Sequence, residues 1–360
     1  MAYERLMEPI TVKKTTFPNR IVLAPIQTSF ATPGGETTER LIKFHENIAM
    51  NSVGLSIVGA TDISPKARLG ANGLGLYEER QSSSLEELFD RIRKAGSIPA
   101  IQLNHGGRVI NPEINNGMIF GPSAIASAAT GNIPRELSIE EIEELINRFA
   151  TAAGYAKKAG ASMVEFHGTH GLLLNQFMSA YSNHRTDIYG GSTENRARIV
   201  RNILRRTREK TGNDFLICLR INADEFLENG LTVNESSEMV KMFIEDGLDI
   251  VHVSAGGADT GALTIEEGIK GNLIKLAGEI KKQVNIPVIG VGGIKNLDQA
   301  EQAIEEGHVD MVAMCRALIV DPELVTKTLE GRVEDLDECT DCMECIGGEP
   351  GINCQMSPDL

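Results

Sequence analysis

The sequence has no tryptophan, only five tyrosines and no apolar run near the about 20 residues that a membrane span needs. Its first ten residues, MAYERLMEPI, lack a basic end followed by an apolar core, so a secretory signal is not expected. With 50 acidic against 35 basic residues, the formal charge of −15 disfavours nucleic acid and anionic membranes as main partners. We therefore expect a soluble cytoplasmic protein that binds any phosphate in a local pocket.

Cysteine is scarce except in one short stretch near the end of the sequence. Four of the six cysteines are Cys339, Cys342, Cys345 and Cys354. In a reducing compartment this crowding favours metal or cluster ligation over disulfides. The CxxCxxC spacing suits four thiolates around Zn²⁺ or a [4Fe–4S] cluster, and spacing does not choose between them. Cys218, in a strand position, is expected to be a packing residue.

Short β-branched runs alternate with longer amphipathic segments, a pattern typical of repeated βα units around a parallel sheet. Ser138 opens one such helix, and Glu141 three residues later completes a capping box. Eight strands separated by helices favour a closed (β/α)₈ TIM barrel. A doubly wound sheet would need a glycine-rich turn after the first strand, and APIQ stands there instead. The predicted strands are 20–24, 54–58, 98–103, 163–166, 216–221, 250–253, 287–290 and 311–313.

The rest of the chain is predicted to serve this α/β barrel. Residues 10–20 read as a hairpin that caps its bottom, and glycines and prolines between the third and fourth strands indicate a surface excursion. We predict a barrel domain over residues 1–331 and a small cysteine-rich segment over residues 332–360. The predicted helices are 138–158, 193–208, 233–246, 272–283 and 297–306.

The most informative stretch is 163–198, where a short apolar run ends abruptly in His167, Gly168, Thr169 and His170. Side chains at the carboxyl ends of barrel strands form the active face. Two imidazoles three residues apart can donate to one ligand oxygen or bind a metal there. The zinc reading lacks a suitable third ligand close by, and the structural alternative is that one histidine caps the loop.

Other strand ends carry polar groups that the fold alone does not require. Gln102 places an amide inside an apolar run, where it needs partners if buried. Arg220 follows four largely apolar residues and would be costly to bury without an anion. Its structural alternative is an ion pair with Asp224 or Glu225. Gly292 and Gly293, with Arg316 after the last strand, favour a phosphate site, because barrels commonly hold phosphate there.

The residues that follow the histidines resemble the Old Yellow Enzyme family of FMN-dependent oxidoreductases, with its pattern N-x-R-T-D-x-Y-G-G-S-x-E-N-R. The resemblance implies FMN bound across the barrel mouth, with Gln102 and Arg220 at the pyrimidine edge of the flavin. It also implies Pro25, Ile26 and Ala60 against the isoalloxazine, and Gly292, Gly293, Cys315 and Arg316 around the phosphate, Cys315 otherwise being a packing residue. The matching residues are Asn183, Arg185, Thr186, Asp187, Tyr189, Gly190, Gly191, Ser192, Glu194, Asn195 and Arg196.

The resemblance gives the histidines a role in reducing a conjugated C=C bond. His167 and His170 would donate hydrogen bonds to the carbonyl or nitro oxygen of an unsaturated substrate, while hydride passes from a flavin that NAD(P)H has reduced. The family's proton-donating tyrosine is replaced by Leu172. Tyr181 or water would then protonate the substrate, and a loop tyrosine without a catalytic role is the structural alternative for Tyr181.

The cysteines are similar to those of the branch with trimethylamine dehydrogenase and 2,4-dienoyl-CoA reductase, where they hold [4Fe–4S]. We expect the cluster here, with zinc as the alternative. Because this sequence shows no GxGxxG motif in a βαβ setting, electrons are expected from NAD(P)H directly or from a separate electron-transfer protein. Association into a homo-oligomer stays open. Alternative functions are amine dehydrogenase-like oxidation, for which aromatic residues are few, and a flavin and Fe–S electron-transfer subunit.

Overall fold

The computed structural model describes residues 3–345 and 351–357. A closed barrel of eight parallel strands, surrounded by helices, confirms the predicted (β/α)₈ architecture. The strands are β1 (Ile10–Val12), β2 (Thr15–Phe17), β3 (Ile21–Leu23), β4 (Leu55–Asp62), β5 (Leu74–Gly75), β6 (Ile98–Asn104), β7 (Phe120–Gly121), β8 (Arg135–Glu136), β9 (Met163–Gly168), β10 (Leu216–Asn222), β11 (Ile250–Ser254), β12 (Val288–Val291) and β13 (Met311–Met314).

The five predicted helices begin and end within a few residues of their predicted ranges. Ser138 accepts a hydrogen bond from the Glu141 N–H at 3.3 Å, and the carboxylate of Glu141 accepts the Ser138 N–H at 2.9 Å, which confirms the capping box. The helices are α1 (Glu4–Met7), α2 (Glu39–Met50), α3 (Glu79–Lys94), α4 (Ile139–Ala159), α5 (Leu173–Met178), α6 (Thr193–Thr211), α7 (Val233–Glu245), α8 (Gly261–Ile269), α9 (Asn272–Lys281), α10 (Leu297–Glu305), α11 (Arg316–Val320) and α12 (Leu324–Leu329).

The barrel closes in the order β3-β13-β12-β11-β10-β9-β6-β4, with β4 paired back to β3. Strand residues that point outward pack under the helices, and those that point inward form a separate core. Val12 and Phe17 of the β1–β2 hairpin belong to that inner core, so the hairpin closes the bottom as predicted. No helix among the described residues has the length and apolar character of a membrane span.

β4 is the strand that departs most from the sequence prediction. It was expected to end at Val58 and instead continues to Asp62, with a register shift between Val58 and Thr61. Beyond Val58 the chain contains Gly59 and Asp62, residue types with low strand propensity, and parallel pairing with β6 carries the strand further. The extension brings Asp62 opposite Asn104 at the mouth of the barrel.

The described part of the cysteine-rich segment lies against the barrel. Cys345, Ile352 and Cys354 are buried with the outer core. The N–H of Ile352 donates to the carbonyl of Thr28, in the loop after β3, at 2.9 Å. The predicted division at residue 331 remains a prediction.

Candidate active site

His167 and His170 lie side by side at the carboxyl end of β9. Their ring centroids are 5.3 Å apart and the rings are almost perpendicular. Thr169 directs its backbone N–H (3.4 Å) and its hydroxyl (3.1 Å) at Nδ1 of His167, which places the ring proton on Nε2. Ser254 of β11 contacts Nε2 of His170 at 2.9 Å. Nε2 of His167 and Nδ1 of His170 have no protein partner within the described ranges and remain for a ligand.

Both imidazoles are neutral at physiological pH. Burial lowers the pKa of His167 well below its ordinary value, and the neighbouring His170 and Arg220 act in the same direction. Burial also lowers the pKa of His170, followed by the charge of Arg220. A neutral imidazole carries one N–H donor. That of His167 is available to a ligand oxygen, and that of His170 is available when the hydroxyl of Ser254 donates to Nε2.

A buried polar network lies one layer below the histidines. The carboxylate of Glu165 accepts hydrogen bonds from the amide of Gln102 at 2.8 Å, the ring of His252 at 2.9 Å and the thiol of Cys218 at 3.3 Å. Burial raises the pKa of Glu165, but His252 and Arg220 outweigh it and the net shift is downward. Glu165 is therefore an ionised anchor that orients the side chain of Gln102.

Arg220 is buried, with 7% of its surface exposed, and stands beside His167 and His252 in the strand register. Its Nε has no partner in the described part of the chain. The alternative ion pairs are not formed: Asp224 accepts from the Phe226 N–H, and Glu225 accepts from Ser179 and the Leu231 N–H. A buried cation with an orphaned donor fits an anionic or carbonyl-rich ring edge such as the flavin pyrimidine.

Pro25, Ile26 and Ala60 lie together where β3 and β4 reach the mouth. Ile26 forms a backbone bridge to Gly59, and Ala60 is buried. A Cβ at Gly59 would meet the side chains of Gln102 and Pro25 at 2.9 and 3.1 Å, so these strand ends approach closely. The three residues thus lie together next to Gln102, and their contact with the flavin remains a prediction.

The loops after β12 and β13 form one pocket. It is lined by Gly292, Gly293, Lys295, Arg316 and, from the cysteine-rich segment, Asp341. Gly292 and Gly293 have φ of 137° and 71°, a region that glycine adopts readily and that can turn successive backbone N–H groups toward an anion. Lys295 and Arg316 both pair with Asp341, so the three charges sum to one positive charge.

The pocket has the chemistry of a phosphate site, and FMN fits it together with the Arg220 layer. Cys315 lines the same pocket, and burial raises the pKa of its thiol to about 12, so it is a neutral contact. The sequence pointed to Arg316 and missed Lys295 and Asp341. Asp341 is the residue that holds both cations, from a position 25 residues beyond Arg316.

We expect Arg316→Ala to weaken FMN binding to the apoprotein by about 10- to 100-fold, since a charge-assisted hydrogen bond is worth roughly 1.5–3 kcal/mol. Riboflavin, which lacks the phosphate, should bind with unchanged affinity. Quenching of flavin fluorescence measures both. Arg332→Ala, which removes an exposed arginine paired with Glu330, is the matched control. Equal losses for FMN and riboflavin would contradict the phosphate role.

Leu172, which stands where the family has its proton-donating tyrosine, is buried. Tyr181 lies on the loop after α5. The guanidinium of Arg108 lies 5.2 Å from the centre of the Tyr181 ring, and Arg108 is itself paired with Asp259 at 2.8 Å. Tyr181 is thus engaged with a buried ion pair that joins the loops after β6 and β11. Its proposed proton-donor role remains a prediction.

All four cysteines of the motif line one small cavity beside α11. Cys345 and Cys354 are buried, and burial followed by the neighbouring Cys339 raises the pKa of Cys345. Four thiols around one cavity match the donor set of a cluster or zinc. However, no group of three or more potential ligands in residues 3–345 and 351–357 has the spacing to hold a metal ion. The cluster therefore remains a prediction.

Anaerobically purified protein is expected to contain about four iron atoms and four sulfides per chain, as a [4Fe–4S] cluster requires. Cys342→Ser should abolish this content, whereas Cys218→Ser, at a buried cysteine bonded to Glu165, should retain it. Metal and acid-labile sulfide analysis measures the outcome. Zinc without sulfide would overturn the cluster assignment.

Comparison with known proteins places the chain among flavin oxidoreductases. Residues 5–335 match the model of the NADH:flavin oxidoreductase / NADH oxidase family. A NADH oxidase of Thermoanaerobacter brockii is 40% identical over 92% of this chain, which spans only 52% of that protein. A NADPH dehydrogenase of Clostridium acetobutylicum is 35% identical over 89% of this chain and 93% of its own length. A solved complex of 2-naphthoyl-CoA reductase with 2-naphthoyl-CoA superposes with a TM-score of 0.94 and 29% identity, over 99% of this chain and 57% of that one.

Proposed function

Because the chain belongs to the NADH:flavin oxidoreductase / NADH oxidase family and is an FMN-dependent oxidoreductase, we propose that it is an ene-reductase. It reduces the C=C bond of an α,β-unsaturated carbonyl or enoate compound, and its electrons come from NAD(P)H. The observation that carries this proposal is the pair of neutral histidines next to a buried arginine, in which Nε2 of His167 and Nδ1 of His170 are left for a ligand. The reductase that superposes at a TM-score of 0.94 is named for an unsaturated acyl thioester, which supports this substrate class.

The two histidines and Arg220 have separate roles in stabilising the negative charge that develops on the substrate oxygen. Nε2–H of His167 and Nδ1–H of His170 bind the carbonyl oxygen and withdraw electrons from the conjugated double bond. When bound, FMN supplies the hydride that the β carbon accepts. Arg220 places a fixed positive charge near the developing anion, and the charge of Glu165 in the network below favours its protonated form.

Stopped-flow absorbance tests the proposal in two half-reactions. NAD(P)H should bleach the flavin under anaerobic conditions, and an enone mixed with the reduced enzyme should restore the colour. Recovery only with an added electron-carrier protein would favour the electron-transfer alternative, and bleaching of the oxidised flavin by an amine would favour the amine dehydrogenase alternative. No bleaching and no recovery would overturn the ene-reductase proposal.

A further inference from the structure

The mouth of the barrel contains a second group of buried polar side chains, on the strands that follow β9 in the barrel order, that the preceding roles leave unused. Asp62 ends β4 and Asn104 ends β6, with 1% and 0% of their surfaces exposed. The amide of Asn104 donates to Oδ1 of Asp62 at 3.1 Å. Oδ2 of Asp62, Oδ1 of Asn104 and Oε1 of Gln27 have no hydrogen-bond partner in the described residues.

Buried polar atoms in proteins are almost always hydrogen-bonded, so each exception calls for an explanation. Here three orphaned oxygens come from the ends of three adjacent strands, β3, β4 and β6. A Cβ placed on Gly73 would lie 3.2 Å from Oδ2 of Asp62 and 3.4 Å from Nε2 of Gln27, so both side chains converge under the loop after β4. This arrangement is typical of a ligand site rather than of an apolar core.

The alternation of side chains along the strands and the strand register place Asp62 and Asn104 on the inner side of the barrel, near the histidines. Side chains alternate along a strand, and Ala100 and Gln102 face the barrel interior, so Asn104 does too. Asp62 pairs with Asn104 in parallel register, and Leu103 pairs with Phe166, so that Asn104 and His167 stand in the same layer. This layer is about 6.6 Å further along the strands than Gln102.

We propose that Asp62, positioned by Asn104, donates the proton that the α carbon of the substrate receives, in place of the missing tyrosine at Leu172. This inference rests on the proposed ene-reduction. Asp62 lies two strands from His167 at the same register position, and its Oδ2 is a buried carboxyl oxygen without a hydrogen-bond partner in the described residues. Asn104 acts as a positioning residue because its amide fixes the other carboxyl oxygen.

The step balances with the reductant already assigned. The π bond of the substrate breaks, the β carbon gains the hydride that originates in NAD(P)H, and the α carbon gains the proton from the Asp62 carboxyl. The substrate thus acquires two electrons and two hydrogens, and the nicotinamide is oxidised by the same two electrons. Solvent then returns a proton to the carboxylate.

The protonation state of Asp62 suits this role. Burial raises the pKa of the carboxyl to about 8, against the hydrogen bond from Asn104, the positive charge of Arg68 and the backbone N–H of Leu69, which all lower it. Below about pH 8 the carboxyl carries a proton to donate, and the proton is lost as the pH rises through that value. The rate of enone reduction should therefore fall above about pH 8, and this part of the pH–rate profile should depend on Asp62.

The test compares Asp62→Asn with Asp246→Asn in the FMN-loaded enzyme. The first change is isosteric and retains an oxygen for the Asn104 amide, and the second removes a carboxylate in the outer helical layer that pairs with Arg201 and Arg205. In single-turnover stopped flow, we expect Asp62→Asn to slow reoxidation of the reduced flavin by an enone by about 100-fold, within the range for general acid catalysis. Bleaching by NAD(P)H and affinity for a phenol should change less than about twofold, which also shows that the variant is folded.

Two further readouts separate proton transfer from a structural effect. An unsaturated nitro compound, whose carbanion is stable in water without prompt protonation, should be reduced by Asp62→Asn at close to the wild-type rate. Infrared difference spectra between pH 6 and 9 should show a protonated-carboxyl C=O band in the wild type that is absent in Asp62→Asn. Asp246→Asn should match the wild type in every measurement.

The failures are distinguishable. If an enone reoxidises the reduced wild type but Asp62→Asn reacts as fast, or if the infrared band is absent from the wild type, the role of Asp62 is wrong and the ene-reductase proposal stands. If an enone does not reoxidise the wild type, the proposed function falls and the role of Asp62 falls with it.

Discussion

Replacing both His167 and His170 by alanine is expected to slow enone reduction by about 1,000-fold, because a single lost donor to a developing oxyanion commonly costs 10²- to 10³-fold. Bleaching by NAD(P)H should be affected less, since the nicotinamide ring presents no developing oxyanion to these donors. Stopped-flow measurement of the two half-reactions separates the effects. His308→Ala, which changes a histidine paired with Glu306 away from the mouth, should leave both rates unchanged.

Phenols that stack on flavins test the same donors without turnover. His167→Ala alone should weaken phenol binding by about tenfold, because one hydrogen bond to a charged oxygen is worth roughly 1.5–3 kcal/mol. Since the pKa of each histidine lies well below its ordinary value, both rings keep one neutral N–H above that pKa, and the affinity should not change between pH 6 and 8 through their titration. Unchanged phenol affinity in His167→Ala would argue against the anchoring role.

Arg220→Met should slow flavin reduction by NAD(P)H by about 100-fold and lower the flavin midpoint potential. Arg220 is the buried cation of the mouth layer, and a negative charge that develops on a ring edge would lose its stabilising partner. Burial of Glu165 would also become costlier, because the guanidinium helps to lower the pKa of that carboxyl.

Arg220→Lys supplies the control for charge as distinct from shape. It retains a positive charge but loses the planar fork, so its midpoint potential should lie between those of the wild type and Arg220→Met. Flavin content measured after purification distinguishes weaker binding from altered redox chemistry. Equal potentials for the wild type and Arg220→Met would show that the guanidinium does not tune the flavin.

The parts of the fold that were predictable are those that depend on local patterns. Apolar runs bounded by helical periodicity located all eight barrel strands, and the sequence of Ser138 to Glu141 gave the start of α4. His167, Gln102 and Arg220 were recognisable because each is a polar residue in or at the end of an apolar run. The structure brings them together in adjacent layers of one barrel mouth.

The parts that were missed depend on contacts between distant residues. Asp62 lies four residues beyond the predicted end of its strand at residue 58, because the further stretch is a strand only through its pairing with β6. Asp341 reaches Lys295 across 46 residues, and nothing in CTDC indicates that partner. Glu165 and His252 are 87 residues apart and read as ordinary strand positions until the barrel closes.

The closed lower end of the barrel has a consequence for the kinetics of the enzyme. Below Gln102 and Arg220 the interior is filled by apolar side chains, and Val12 and Phe17 close the lower end. A flat ring laid over that filling is approachable from one direction only. Nicotinamide and the oxidising substrate must then occupy the same site one after the other. Steady-state kinetics should therefore follow a double-displacement (ping-pong) rate law, with parallel lines in double-reciprocal plots.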